Sequence, residues 1–239
     1  MSEKFMPIRN RAPDKGLNKI LFFLRLLADF QTLTSYKILK QVLPTFSGLI
    51  LDVGCGDSPY RHLLNTSKTD YRGLDIDASG NFQYANSNVV KFDGVKIPFE
   101  SASADGLICT EVLEHVKRPY DFVKELHRVL KPGAPALITV PWSARFHYIP
   151  HDYFRYTPSA LSDLFSEFSQ HEIIPRGTEV TAIASKVVVL QLRSLRENPL
   201  IGIIMSPLTV LSILAGHLSL IIEWGSKDDP VGYTILLKK

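Results

Sequence analysis

The 239 residues hold only two cysteines, Cys55 and Cys109. Two thiols in apolar strand ends give no disulfide framework, so a reducing, cytoplasmic compartment is expected. Neither sign of charge dominates: 27 Lys and Arg stand against 24 Asp and Glu, a net +3. That balance does not by itself argue for nucleic acid. No basic stripe with interleaved aromatics appears either, and no nucleic-acid partner is expected. Internal repeats and low-complexity tracts are missing, which excludes repeat architectures. One stretch lacks charge altogether: from Pro199 to Ile222 there is no Asp, Glu, Lys or Arg. Its length reaches the roughly 20 apolar residues needed to span a bilayer.

What is present fits one domain with elaborations. Residues 1–16 are polar and basic and are expected to be mobile. Lys4, Arg9, Arg11, Lys15 and Lys19 precede an apolar stretch from Ile20 that Arg25 and Asp29 interrupt. Without a small-residue cleavage site it reads as an amphipathic helix, not a signal peptide. Leu17, Ile20, Leu21, Leu24, Leu27, Phe30, Leu33 and Ile38 predict one or two helices, ended by Pro44. The expected organisation is a helical extension (1–44), a core (45–178), an apolar helical insert (179–231) and a last core strand (232–239).

The chain is organised around Leu49-Ile50-Leu51-Asp52-Val53-Gly54-Cys55-Gly56-Asp57-Ser58-Pro59-Tyr60. An apolar run ends in a glycine turn, where the backbone can bend sharply and a ligand can approach closely. Pro59 suits the first turn of a helix reaching about Asn65. Further strands are predicted at Tyr71–Asp77, Val89–Asp93, Ala104–Thr110, Ala136–Val140, His171–Pro175 and Gly232–Leu237. Helices are predicted around Val112, Leu113 and Val116, over Asp121–Leu130, and from Pro158 through Phe168. Strands alternating with helices imply an α/β fold, a Rossmann-like, mostly parallel seven-stranded sheet covered on both faces. A glycine turn at a strand's carboxyl end is where such sheets bind nucleotide-like ligands.

A dinucleotide fingerprint would need a third glycine where Pro59 stands. The Leu51–Gly56 core instead resembles motif I of the class I S-adenosylmethionine-dependent methyltransferases, in their small-molecule, type 11-like branch. Four more segments resemble that family in order: Gly73–Asp77, Asp93–Phe99, Asp105–Val116 and Leu126–Gly133, the last with Ala134 where a glycine is usual. The resemblance implies S-adenosyl-L-methionine as cofactor. It implies that Asp75 accepts the ribose hydroxyls and Asp93 the adenine amino group. It further implies that Gly54, Cys55 and Gly56 lie against the methionine portion, with Asp52 orienting the turn. Ile76, Gly94 and Val95 would line the adenine slot, and Thr110 completes the set. Asp57 and Ser58-Pro59 depart from the family pattern at the methionine end.

Loops after the fourth and fifth strands face the methyl group in this fold. They offer Glu111, Glu114 and His115, then Trp142, His147, Tyr148, His151, Asp152, Tyr153, Arg155 and Tyr156. The run His151–Thr157 resembles a "HDYFRYT" segment of bacterial methyltransferases associated with cell-surface glycan pathways. As chemistry, it presents a titratable His151 with Asp152 beside it, and His147 nearby, as candidate catalytic groups. Arg155 suits an anionic acceptor group, and Tyr153, Tyr156, Trp142 and His115 are further acceptor-contact candidates. No metal is expected in this reading, although Glu111, Glu114 and His115 on one helical turn could hold one, with His147 or His151 completing the set. The first expectation is O-methylation of a small or lipid-linked, glycan- or quinone-like acceptor. The alternatives are metal-assisted methylation of a catechol- or quinone-like acceptor, and a non-catalytic cofactor-binding scaffold at a membrane.

The apolar stretch at 199–222 lies between two expected strands of one sheet, so a single crossing is impossible. It could be a re-entrant hairpin broken near Pro207 or Gly216, one of two crossings with Val180–Leu195, an interfacial helix, a lid or a dimer contact. Membrane contact on the cytoplasmic face is the expectation carried forward.

Overall fold

The computed structural model describes residues 12–13, 16–76 and 89–239. Asp77 and nearly all of the basic segment 1–16 lie outside the described residues.

Seven strands form one sheet: β1 (Gly48–Val53), β2 (Thr69–Ile76), β3 (Val90–Phe92), β4 (Gly106–Thr110), β5 (Pro135–Pro141), β6 (Gln170–Arg176) and β7 (Gly232–Lys238). Their order is β3-β2-β1-β4-β5-β7-β6. β7 runs antiparallel between β5 and β6, and the other pairings are parallel. Strand order reverses between β1 and β4, so the crevice at their carboxyl ends is the binding position for this topology.

Period-two alternation splits β1 between two cores. Leu51 and Val53 join the cluster containing Leu107, Ile138, Phe122 and Leu126. Ile50 faces the other side with Ile108 and Leu137. The first face is covered by α3 (Pro119–Val129) and α4 (Pro158–Leu164). The second is covered by α1 (Gly16–Arg25), α2 (Phe30–Val42) and α5 (Glu179–Glu197), which runs into α6 (Pro199–Ile222).

Two expected helices are replaced by single 3₁₀ turns. After the glycine turn the chain makes only Arg61–Leu63, and after β4 only Leu113–His115. Ser58 adopts φ +53° just before Pro59, and its amide donates to the Cys55 carbonyl at 2.8 Å. The segment is thereby tightened into a turn, and Pro59 starts no α-helix. Residues from the amino-terminal extension cover the sheet instead, with Phe22, Leu26 and Leu39 packed beside Tyr60 and Leu64. The insert also differs from a broken hairpin. Pro207 and Gly216 lie inside one continuous helix, α6.

Candidate active site

The cofactor turn is held by backbone and by two buried carboxyls. Gly54 and Gly56 take φ +75° and +51°. The amides of Gly54 and Cys55 donate to the Leu74 carbonyl at 2.8 and 3.0 Å. A Cβ on Gly54 would lie 2.3 Å from Cγ2 of Val112, so neither the φ nor the space admits a side chain. Asp75, at the end of β2 and 5% exposed, lies directly across the turn. Its Oδ2 accepts from the Gly56 amide at 2.9 Å and its Oδ1 from the Ile76 amide at 2.8 Å. A carboxylate ending the second strand is the group that accepts a ribose diol in related nucleotide-binding folds.

Asp52 is buried behind the turn and accepts from the Tyr71 hydroxyl at 2.7 Å, which lies 2.9 Å from the Ser58 hydroxyl. Tyr71 was not among the sequence candidates. The clue is period two, which sets Tyr71, Gly73 and Asp75 on one face of β2. Gly94 sits at φ +77° against Ile76, where a Cβ would come within 3.2 Å of Cγ2. Asp93 is exposed and accepts the amides of Val95 and Lys96 at 2.8 and 2.9 Å through Oδ1, which fixes its own turn. The residues fit S-adenosylmethionine: a turn with glycines at 54 and 56, a buried acceptor opposite it, and Gly94 close against Ile76.

The loops after β4 and β5 are stitched together. The Glu114 carbonyl accepts from the amides of Tyr153 and Phe154 at 2.8 and 3.3 Å. Nδ1 of His115 lies 2.6 Å from the His151 carbonyl, and the Tyr156 hydroxyl donates to the Leu113 carbonyl at 3.0 Å. The expected His151–Asp152 pair is not made. The Asp152 side chain is 1% exposed and turns inward, where Oδ2 accepts from the His147 amide at 3.0 Å and lies 3.1 Å from His147 Nδ1. His151 faces outward, its Nδ1 3.2 Å from the Tyr153 hydroxyl.

Arg155 is not available to an anionic acceptor. It donates to both oxygens of Asp152, at 2.7 and 2.8 Å, and to the carbonyls of Phe154 and Arg145. It is a strut of the loop. Tyr156 is buried and also structural, whereas Tyr153 is exposed at the rim. Trp142 donates from its indole nitrogen to Asp229 at 2.7 Å.

The ligand set read from one helical turn also changes. Glu111, at φ +54°, turns to Arg176, 2.7 Å away, and leaves the cluster. His147 takes its place: ligand atoms of Glu114, His115 and His147 lie within 4.8 Å of one another. Glu114 is fully buried, and neither carboxyl oxygen has a hydrogen-bond partner among the described residues. A hollow between α3 and α4, lined by Tyr120, Lys124, His127 and Asp163, shares no residue with the site.

Residues 51–138 match a family model described as a methyltransferase domain. Cycloartenol-C-24-methyltransferase 1 of Oryza sativa subsp. japonica is 29% identical over 117 residues, which cover 43% of this chain and 33% of that protein. An uncharacterized methyltransferase of Mycobacterium marinum is 30% identical over 125 residues, covering 49% of each chain. The chain therefore spans about half or less of the length of these curated relatives. The fold matches a SAM dependent methyltransferase from Archaeoglobus fulgidus with TM-score 0.56 and 18% identity, over 92% of this chain and 99% of that one. Residues 51–138 thus match a methyltransferase domain of the type 11 branch, and the sheet around them has the fold of the S-adenosylmethionine-dependent methyltransferases. S-adenosylmethionine is the domain's cofactor.

Burial sets the charge state of this methyltransferase domain's inner carboxyls. Burial raises the Asp52 carboxyl to about 7; the Tyr71 hydrogen bond opposes the rise and the Asp75 charge adds to it. Glu114 is also pushed well up, by burial first and then by the charge of Glu111. Asp152 stays below its ordinary value: burial pulls it upward, but Arg155 and the His147 amide outweigh that. His115 falls to about 4, through burial and then the neighbouring His147.

A folded pKa above the unfolded one means that the folded state binds more protons between the two. The Asp52 contribution is therefore full below about pH 4 and is lost as pH rises to about 7. Asp52→Asn, which has no such proton to lose, is expected to shed less stability than the parent across that window. Thermal unfolding at a series of pH values checks this, and parallel curves for the two proteins would refute it.

Proposed function

We propose that the chain transfers the methyl group of S-adenosylmethionine to a hydroxyl oxygen of a small or lipid-linked acceptor, in cell-envelope glycan or related biosynthesis. The observation that carries this reading is the inward Asp152–His147 pair at the carboxyl ends of β4 and β5. His147 Nδ1 lies 2.9 Å from the Arg145 carbonyl and 3.1 Å from Asp152, two acceptors nearer than the Arg155 guanidinium at 3.5 Å, so the ring proton is assigned to Nδ1. Nε2 is then the basic nitrogen. When bound, S-adenosylmethionine supplies a sulfonium methyl open to in-line displacement. Asp75 and the Gly54–Gly56 turn hold it, His147 takes the acceptor's hydroxyl proton, and Tyr153 and His151 form the rim that meets the acceptor. The resemblance of His151–Thr157 to segments of glycan-pathway methyltransferases supports the acceptor class.

The test is transfer of labelled methyl from the cofactor onto fractionated envelope lipids and glycans. His147→Ala should lower transfer by roughly 10²–10⁴-fold, the usual range for a general base. Affinity for S-adenosylhomocysteine should stay unchanged, because His147 lies outside the cofactor turn. Equal transfer by the variant sinks the base assignment, and no transfer to any fraction by the parent favours a scaffold.

The unpartnered Glu114 carboxyl beside His115 and His147 favours a second reading, in which a divalent metal held there orients and polarises a catechol- or quinone-like acceptor. Transfer abolished by a chelator and restored by added metal would select that reading; indifference to the chelator would remove it.

A further inference from the structure

The seam between α5 and α6 is built the opposite way round from a water-soluble helix pair. Buried residues on α6 are Gly202, Thr209, Gly216 and Ser219. Thr209 lies 3.3 Å from Gln191, and Gln191 donates to the Gly202 carbonyl at 2.8 Å. The Ser219 hydroxyl reaches those of Thr178 and Thr181 at 2.5 and 3.1 Å. A Cβ on Gly216 would come within 2.5 Å of Phe30 and 2.9 Å of Ala184. Small and polar residues thus fill the seam. The aliphatic ones point outward: Leu200, Ile203, Ile204, Leu211, Leu214 and Ile221 are each 61–75% exposed. With Ile201 and Val210 they sweep about half the circumference of a helix roughly 36 Å long. Small seam residues with outward Leu and Ile is how helices pack in lipid.

A second element repeats the pattern. Leu17, Ile20, Leu21 and Leu24 of α1 fall at i, i+3, i+4 and i+7, one helical face, yet they are 51–68% exposed while Phe22 points inward. The periodicity predicted an amphipathic helix correctly, but its apolar stripe faces away from the core. The two apolar surfaces meet at Leu27, whose carbonyl lies 2.9 Å from His217 Nε2 of α6.

Charge selects the occupant. Up to residue 29 the chain carries Lys4, Arg9, Arg11, Lys15, Lys19 and Arg25 against Glu3, Asp14 and Asp29, the last paired with Arg25. On α5, three basic residues, Lys186, Arg193 and Arg196, outnumber two acidic ones, Glu179 and Glu197. Trp224, 52% exposed just past α6, is a residue type that anchors at the membrane–water boundary. Protein interfaces concentrate Tyr, Trp, Met and Arg at their centres, whereas this face is Leu, Ile and Val around Pro207 and holds none of those four. Crossing is ruled out: both ends of the hairpin join the same sheet, and α5 is too charged to span.

We propose that α1 and α6 form one docking face that seats the chain, half-immersed and parallel to the surface, on a bilayer containing anionic lipid. This docking is independent of which acceptor is methylated.

The experiment is co-sedimentation of the full chain with vesicles of phosphatidylcholine alone or mixed in equal parts with phosphatidylglycerol. The protein should pellet with the mixed vesicles, and added salt should weaken binding. Ile204→Glu/Leu211→Glu/Leu218→Glu, all exposed positions, should lose roughly tenfold or more in partition with an unchanged circular dichroism spectrum. Leu21→Glu/Leu24→Glu should lose a smaller factor, about threefold. A parent protein that stays in the supernatant overturns the proposal, as does equal pelleting by parent and triple variant. A soluble dimer that the triple variant converts to monomer would assign the face to a second copy and overturn it equally.

Discussion

Asp75→Ala is expected to weaken S-adenosylhomocysteine binding by roughly 100-fold or more, measured by titration calorimetry. The carboxyl is 5% exposed and already accepts the Gly56 amide, so it is fixed before any ligand arrives. Hydrogen bonds to a charged acceptor contribute about 1.5–3 kcal/mol each. Losing two from the ribose diol is worth about 3 kcal/mol or more, and each 1.4 kcal/mol is a factor of about ten in affinity. The variant also leaves the Gly56 amide without its acceptor, which loosens the turn. Asp75→Asn separates the two contributions: it can still accept from Gly56 but carries no charge, and it should fall between parent and Ala. A loss below about tenfold in a folded Asp75→Ala protein would remove Asp75 from the cofactor site.

The cofactor half of the site was legible because its chemistry is local. A turn with two positive-φ glycines and an acid ending the next strand are written in contiguous residues, and parallel pairing of β1 with β2 brings them together without outside help. The acceptor half was not, because adjacency in sequence misleads in an extended segment. His151 and Asp152 are neighbours whose side chains point to opposite sides, and the partner of Asp152 is His147, five residues back. Arg155 looked available for an anion only because its three-residue spacing from Asp152 gave no sign of the bidentate contact. The missing helix between β1 and β2 was illegible for a different reason. The covering it would provide comes from α1 and α2, which precede the core in sequence, and strand-to-strand spacing carries no record of that. For α6, composition showed an apolar helix but not which way its residues face. That depends on the polar residues of α5 with which its seam is shared.

The same dependence on distant partners makes Arg176 the residue whose loss should cost the fold most. It ends β6, is 1% exposed, and is the largest side chain buried to that degree. Nη2 donates to Glu111 Oε1 at 2.7 Å and to the Val140 carbonyl at 3.0 Å; Nη1 donates to the Gln31 carbonyl at 3.1 Å and to the Ser35 hydroxyl. One guanidinium therefore ties β5, β6, α2 and the loop after β4 together. Arg176→Met fills much of the volume but withdraws the charged donor from the Val140 and Gln31 carbonyls, the Ser35 hydroxyl and the Glu111 carboxylate. At about 1–3 kcal/mol for each buried acceptor left short of a donor, the loss is about 3–5 kcal/mol. At about 2–4 °C per kcal/mol for a chain of this size, the melting temperature should drop by roughly 10 °C. Arg176→Lys should recover little of it, because a single ammonium cannot serve both branches of the fork. Glu111→Gln should cost far less, about 1 kcal/mol or below, since the Glu111 side chain is 34% exposed and water can take over. If Glu111→Gln and Arg176→Met melted alike, the ion pair would be the tie and the carbonyl contacts would be incidental. The unequal drop expected here places the stabilisation in the buried carbonyls, where β5, β6 and α2 converge behind the site.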